Sequence, residues 1–261
     1  MTATALRLEE NPSATEIIAA LEAAERRPDE ALRAAMGRAA EMAPAIIELL
    51  DKAAGGTALL QRQENLLFWG IHVLGAARRT ELYHPLLRFL RAYKGDDLDR
   101  VLGDAKTATL PQIVISVFDG DPSPLLDACA DRGVDEYARW NLIGALARLT
   151  FDGAVPRGTT LAFLDRFDRE PLADPNDDAW QGWQDAISLL GLEEMRERLC
   201  AACRDGRFRQ PEGELEYCLN QLTVARNLPV GDDGLFIRAG LFPIADPVAA
   251  LEWVHDDDAG G

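Results

Sequence analysis

Apolar residues recur at helical spacing along almost the whole chain. In "TEIIAALEAAERR" (15–27), Ile17, Ile18, Leu21 and Ala24 share one face, and Ser13 or Thr15 can cap its start. "PDEALRAAMGRAAEMAPAIIELLDKAAGG" (28–56) follows, with Pro44 predicting a break and Gly55-Gly56 a stop. The β-branched run "PQIVISVF" (111–118) suits a strand or a buried helix, and the helical pattern of its neighbours selects the helix. In "DEYARWNLIGALARL" (135–149), Leu142, Ile143, Leu146 and Leu149 form the apolar stripe, and Gly144 and Ala145 leave room for a neighbouring helix. Asp135 sits where an N-cap or first-turn anion belongs, and its i,i+4 relation to Arg139 predicts an exposed pair worth about 0.2–0.5 kcal/mol.

Four segments lie over one another as helix, turn, helix. They are "NLLFWGIHVLGAARRTELYHPLLRFL" (65–90), "TLPQIVISVFDGDPSPLLDACA" (109–130), "YARWNLIGALARLTFDGAVPRGTTLAFLDRF" (137–167) and "WQGWQDAISLLGLEEMRERLCAACRDG" (180–206). Their anchors Leu86, Leu125, Leu161 and Leu199 are separated by 39, 36 and 38 residues. A period of that size in helix pairs predicts an all-α fold, a single continuous α-solenoid of HEAT-like pairs wound as a right-handed superhelix. An irregular bundle of similar helices is the alternative. The expected organisation is a flexible N-terminus (1–12), the solenoid (13–255, about 5–6 helix pairs) and a disordered acidic tail (256–261).

"LLFWGIHVLGAARRTELYHPLLRFLR", "VLGDAKTATLPQIVISVFDGDPSPL" and "DEYARWNLIGALARL", in this order, resemble a bacterial family known as domain of unknown function 1186. Gly103-Asp104, "TLPQIVISVFDGD" and "DEYARWNLIGALARL" are the most specific pieces, and the likeness extends through "FPIADPVAALEWVH". The resemblance implies a HEAT-like helical repeat fold and no assigned activity. Some members resemble one another in a Cys-rich, zinc-binding tail. Here the last residues are "WVHDDDAGG", so recruitment through such a tail is not expected.

Composition narrows the functions. With 48% hydrophobic and 27% charged residues the chain is globular. Its net charge of −17 repels phosphate backbones and argues against nucleic-acid binding. No stretch is apolar enough for a membrane span, and the first residues do not read as a signal peptide, so a cytoplasmic location is expected. Cys129, Cys200, Cys203 and Cys218 are then reduced thiols.

Candidate chemistry is thin, and no cofactor is implied. "CAAC" (200–203) lacks the further ligands a zinc site needs, and a helix-interior position is wrong for a redox pair; small packing residues are the simpler reading. His72, His84 and His255 are never followed by Glu, which removes a His-Glu iron pair. "GDDGLF" (231–236) has no Walker lysine and reads as a flexible acidic loop. "DGDPSP" (119–124) with Asp104 could gather carboxylates around a cation, but it lacks EF-hand spacing, and Asp121 serves as a helix cap. Trp180 and Trp183 share a helical face, as a contact platform or as packing.

The function expected is therefore a non-catalytic interaction scaffold for an unknown protein partner of basic character, as monomer or homodimer. The candidate face comprises Asp104, Asp119, Asp121, Glu136, Arg139, Asp178 and Trp180. The alternative is a small-ligand binder or enzyme on the same fold.

Overall fold

The computed structural model describes residues 11–209 and 211–254. Among them are sixteen α-helices and no strand. The helices are α1 Ala14–Glu22, α2 Asp29–Met36, α3 Ala39–Ala54, α4 Gln61–Ala76, α5 Tyr83–Ala92, α6 Asp96–Leu102, α7 Ala105–Ala108 and α8 Leu110–Val117. They continue with α9 Ser123–Ala130, α10 Glu136–Phe151, α11 Arg157–Arg169, α12 Ala179–Leu189, α13 Arg196–Arg204, α14 Pro211–Asn227, α15 Gly234–Arg238 and α16 Pro247–Ala250. No described helix is long and apolar enough to cross a membrane. The expected tail at 256–261 and all but the last two residues of the expected N-terminal segment lie outside the described residues.

The chain forms two compact units. The first takes the residues up to Gly103, Ser116–Asp119 and those from Pro243 on; the second takes Asp104–Ile115 and Gly120–Phe242.

In the first unit, α1 opens on a capping box. Ser13 Oγ accepts from Glu16 N at 3.3 Å, and Glu16 Oε2 accepts from Ser13 N at 2.8 Å. Helix α3 runs straight through Pro44, where a break is expected; the chain breaks instead between α2 and α3, at Gly37 and Arg38. Burying Ala43, Ile46 and Leu50 as α3 packs on α4 and α5 outweighs the hydrogen bond that Pro44 removes. The helix stops at Gly55-Gly56, as expected, with Gly56 at φ +82°. Gly70 of α4 lies under Ile46, whose side chain would stand 2.6 Å from a Cβ there. His72 is fully buried on α4, its Nδ1 2.7 Å from the Phe68 carbonyl, so that nitrogen carries the proton.

In the second unit, α10 is central and packs against α7, α9, α11 and α12, while α12 packs in turn on α14. A Cβ at Gly144 would stand 3.0 Å from the Leu241 side chain, rather than against another helix as the sequence context suggests. The close helix approach occurs at Gly182, where a Cβ would stand 2.6 Å from the Trp140 carbonyl oxygen and 2.8 Å from its Cα.

"PQIVISVF" is helical, and each of the four aligned segments is a helix–turn–helix pair: α4/α5, α8/α9, α10/α11 and α12/α13. Leu86, Leu125 and Leu199 are fully buried, but Leu161 is half-exposed. The buried stripe of α11 is Thr160, Phe163, Leu164 and Phe167, so the third anchor is Leu164, three residues along.

Candidate interaction site

The start of α10 organises the second unit. Asp135 caps it: Oδ1 accepts from Ala138 N at 3.0 Å, and Oδ2 is 3.2 Å from Lys106 Nζ. Arg139 makes no pair with Asp135. Its side chain is 1% exposed and turns inward, where Nε donates to the Cys129 carbonyl (3.1 Å), Nη1 to Asp177 Oδ2 (3.2 Å) and Nη2 to the Leu172 carbonyl (2.5 Å). The guanidinium also lies 5.6 Å from the Phe167 ring centre. Burial pushes Arg139 below its ordinary pKa and the Asp177 carboxylate opposes this; an arginine remains charged under both influences.

The loop that receives Arg139 leads into α12. Asp177 Oδ1 accepts from Ala179 N at 2.8 Å, and Glu136 Oε2 accepts from Asp178 N at 2.9 Å. Arg209 lies 3.2 Å from Asp178 and 3.7 Å from Glu136. Trp180 is only 4% exposed; it packs edge-on against Phe167 and Trp183, and its indole N–H donates to the Asp174 carbonyl at 3.1 Å. Trp183 is fully buried and donates to the Leu164 carbonyl at 2.9 Å.

The expected face is thus partly gathered and partly dispersed. Glu136, Arg139, Asp178 and Trp180 come together, but as a clamp on the start of α12, and Arg139 and Trp180 offer almost no surface. Asp121 is exposed and accepts from Ser123 N at 2.9 Å just ahead of α9, whose N-cap position is Pro122. Asp104 is exposed before α7, its carbonyl accepting from Thr107 Oγ1 at 3.1 Å. Asp119 belongs to the first unit, 2.8 Å from His84 Nε2.

Cys129 and Cys218 are buried, while Cys200 and Cys203 are half-buried on α13. Burial pushes the Cys129 thiol far above its ordinary pKa, which makes it inert as a nucleophile. Among the described residues no group of three or more His, Cys, Asp or Glu could hold a metal ion. His255 lies outside them.

A second surface escapes the sequence reading. Helix α14 buries Cys218 and Leu222, yet Tyr217 is 62% and Val224 45% exposed. Seven residues apart, they share a helical face. The helix runs into "NLPVGDDG" (227–234), where Val230 is fully exposed. Behind that turn is a cavity of about 260 Å³ lined by Phe151, Leu189, Ala225, Leu228, Pro229, Val230, Leu235 and Phe236, with Gly231 and Asp232 completing the wall. Asp232 is exposed, and its Oδ1 accepts from Gly234 N at 3.0 Å.

Arg148 secures the cavity from below. Its guanidinium stacks 5.6 Å from the centre of Phe151 and 5.8 Å from that of Phe236, and reaches Asp152 (2.9 Å), Asp233 (3.0 Å) and the Leu241 carbonyl (3.3 Å). "GDDGLF" is therefore a pinned turn into α15. The signal in the sequence is the apolar pair Tyr217 and Val224, off the stripe set by Cys218 and Leu222.

The family model described as "Protein of unknown function (DUF1186)" matches residues 13–207, which end before α14. A search of curated proteins and a search of solved structures each gave no match.

Proposed function

The chain belongs to the DUF1186 family of proteins of unknown function, and from that premise we propose that it is a non-catalytic scaffold of HEAT-like helix pairs that binds a basic protein or peptide. The repeat reading is supported by α10, α12 and α14, which lie against one another in chain order, as the leading helices of stacked pairs do. The binding reading is carried by one observation: Tyr217, Val224 and Val230, on α14 and the turn that follows it, are three of the six large apolar side chains exposed among the described residues. The net charge of −17 favours cationic partners and speeds their encounter. The polar cluster around Arg139, by contrast, is committed to holding α9, α10 and α12.

The test starts from proteins retained by the immobilised full chain, identified and then measured as purified pairs. The double variant Tyr217→Ser/Val224→Ser should bind at least about tenfold more weakly, with its unfolding midpoint unchanged because both side chains are exposed. Unchanged affinity would rule out this surface. Light scattering on the same samples reports whether the active species is a monomer or a homodimer.

A further inference from the structure

We propose that the cavity behind the 227–234 turn is an anchor pocket that takes one apolar side chain from a partner segment with a lysine or arginine beside it. This rests on the interaction reading above and assigns the partner's chemistry. At about 260 Å³ the cavity is smaller than the roughly 300–1,000 Å³ typical of cofactor and drug-sized sites, and it suits a single leucine, methionine or phenylalanine. Phe151, Leu189, Leu235 and Phe236 wall it on the inner side, and Asp232 is the one ionisable side chain in its lining, so the group that enters beside the rings and leucines is apolar.

The rim supplies the second half of the specificity. Asp232 stands at the mouth, with one carboxylate oxygen already turned to Gly234 N, and its negative charge favours a cation next to the anchor. Arg148 is engaged by Asp152 and Asp233 and does not cancel it. Val230, part of the wall, is fully exposed and continues the apolar surface outwards, so the occupant is a chain segment rather than an isolated small molecule. A second copy is a poor occupant, because it brings a charge of −17 to a surface of the same sign. The Arg148 brace and the buried Phe236 hold the pocket open in advance, which lowers the ordering cost of binding.

The probe is a synthetic array of octapeptides with Leu, Met, Phe or Ser at the centre and Lys, Arg, Gln or Glu beside it, read with labelled full-length protein. Apolar centres with basic neighbours should bind about tenfold better than Ser-centred or Gln-flanked peptides. Val230→Asp and Asp232→Asn should each weaken that binding at least about fivefold, with no change in thermal unfolding. A silent array, binding indifferent to the flanking charge, or full binding by Val230→Asp would each overturn the proposal. If proteins captured by the chain are lost with Tyr217→Ser/Val224→Ser while the array stays silent, the anchor pocket fails and the interaction reading stands. If the chain binds no protein at all, both fail. A concentration-dependent dimer abolished by Val230→Asp would make the occupant a second copy and would also overturn the proposal.

Discussion

Arg139 has the outward marks of a surface contact residue, one turn into a helix and four residues from an aspartate, yet it is among the most deeply buried side chains described. The local sequence could not reveal this, because two of its three partners, at positions 172 and 177, lie 33 and 38 residues downstream. Arg139→Ala would leave Asp177 and two carbonyls without their donor, so urea unfolding should show a loss of about 3–5 kcal/mol. Arg139→Lys should recover little of it, since a single ammonium cannot serve three divergent acceptors. Consequently a charge reversal here would unfold the second unit before it reported on binding. His72 carries a pH signature. Burial lowers its pKa from 6.5 to about 4, with the Phe68 carbonyl acting in the other direction. Below pH 6.5 the unfolded chain therefore gains a proton that the folded chain refuses. Stability should be full above pH 6.5, fall by an amount on the order of 3 kcal/mol as the pH drops to about 4, and then level off for this group. His72→Gln, which keeps a donor for Phe68 without a titrating ring, should flatten that slope in urea titrations at stepped pH.

At the level of elements, periodicity was a reliable guide wherever a helix had one buried face. Ser13, the Gly55-Gly56 stop, the helical state of 111–118 and all four helix pairs were legible. Errors arose where packing between elements outweighed local preference. Pro44 sits inside α3 because of what α3 buries, and Leu161 gives way to Leu164 because α11 presents a different stripe to its neighbours. Glycines behaved likewise: Gly144 looked like the contact point, but Gly182 is where α12 touches the α10 backbone. Gly182→Ala would force the two helices apart against an immovable carbonyl and should cost about 1–3 kcal/mol of unfolding free energy, whereas the added methyl of Gly144→Ala meets only the movable end of Leu241 and should cost less. Chemical denaturation of the two variants side by side gives the comparison.

On the scale of the whole molecule, the all-α class could be read from the sequence pattern, but the division into two units could not, because each is assembled from separated stretches of chain. The net charge has a kinetic consequence. On the proposed reading, association with a basic partner should slow about tenfold or more between roughly 0.05 and 0.5 M salt in stopped-flow mixing, while the dissociation rate changes little. The Arg148 brace has one of a different kind. It joins α10 to residues 85 and 93 positions later, on the far side of a turn whose Pro229, Val230, Gly231 and Asp232 all face solvent. A protease that nicks this turn would cut the backbone without releasing either piece: Phe236 remains against Phe151, and Asp233 remains on Arg148. The two fragments should co-elute in native buffer, part only in denaturant, and reassemble when mixed, so that the covalent link at 229–232 is dispensable for holding the second unit together.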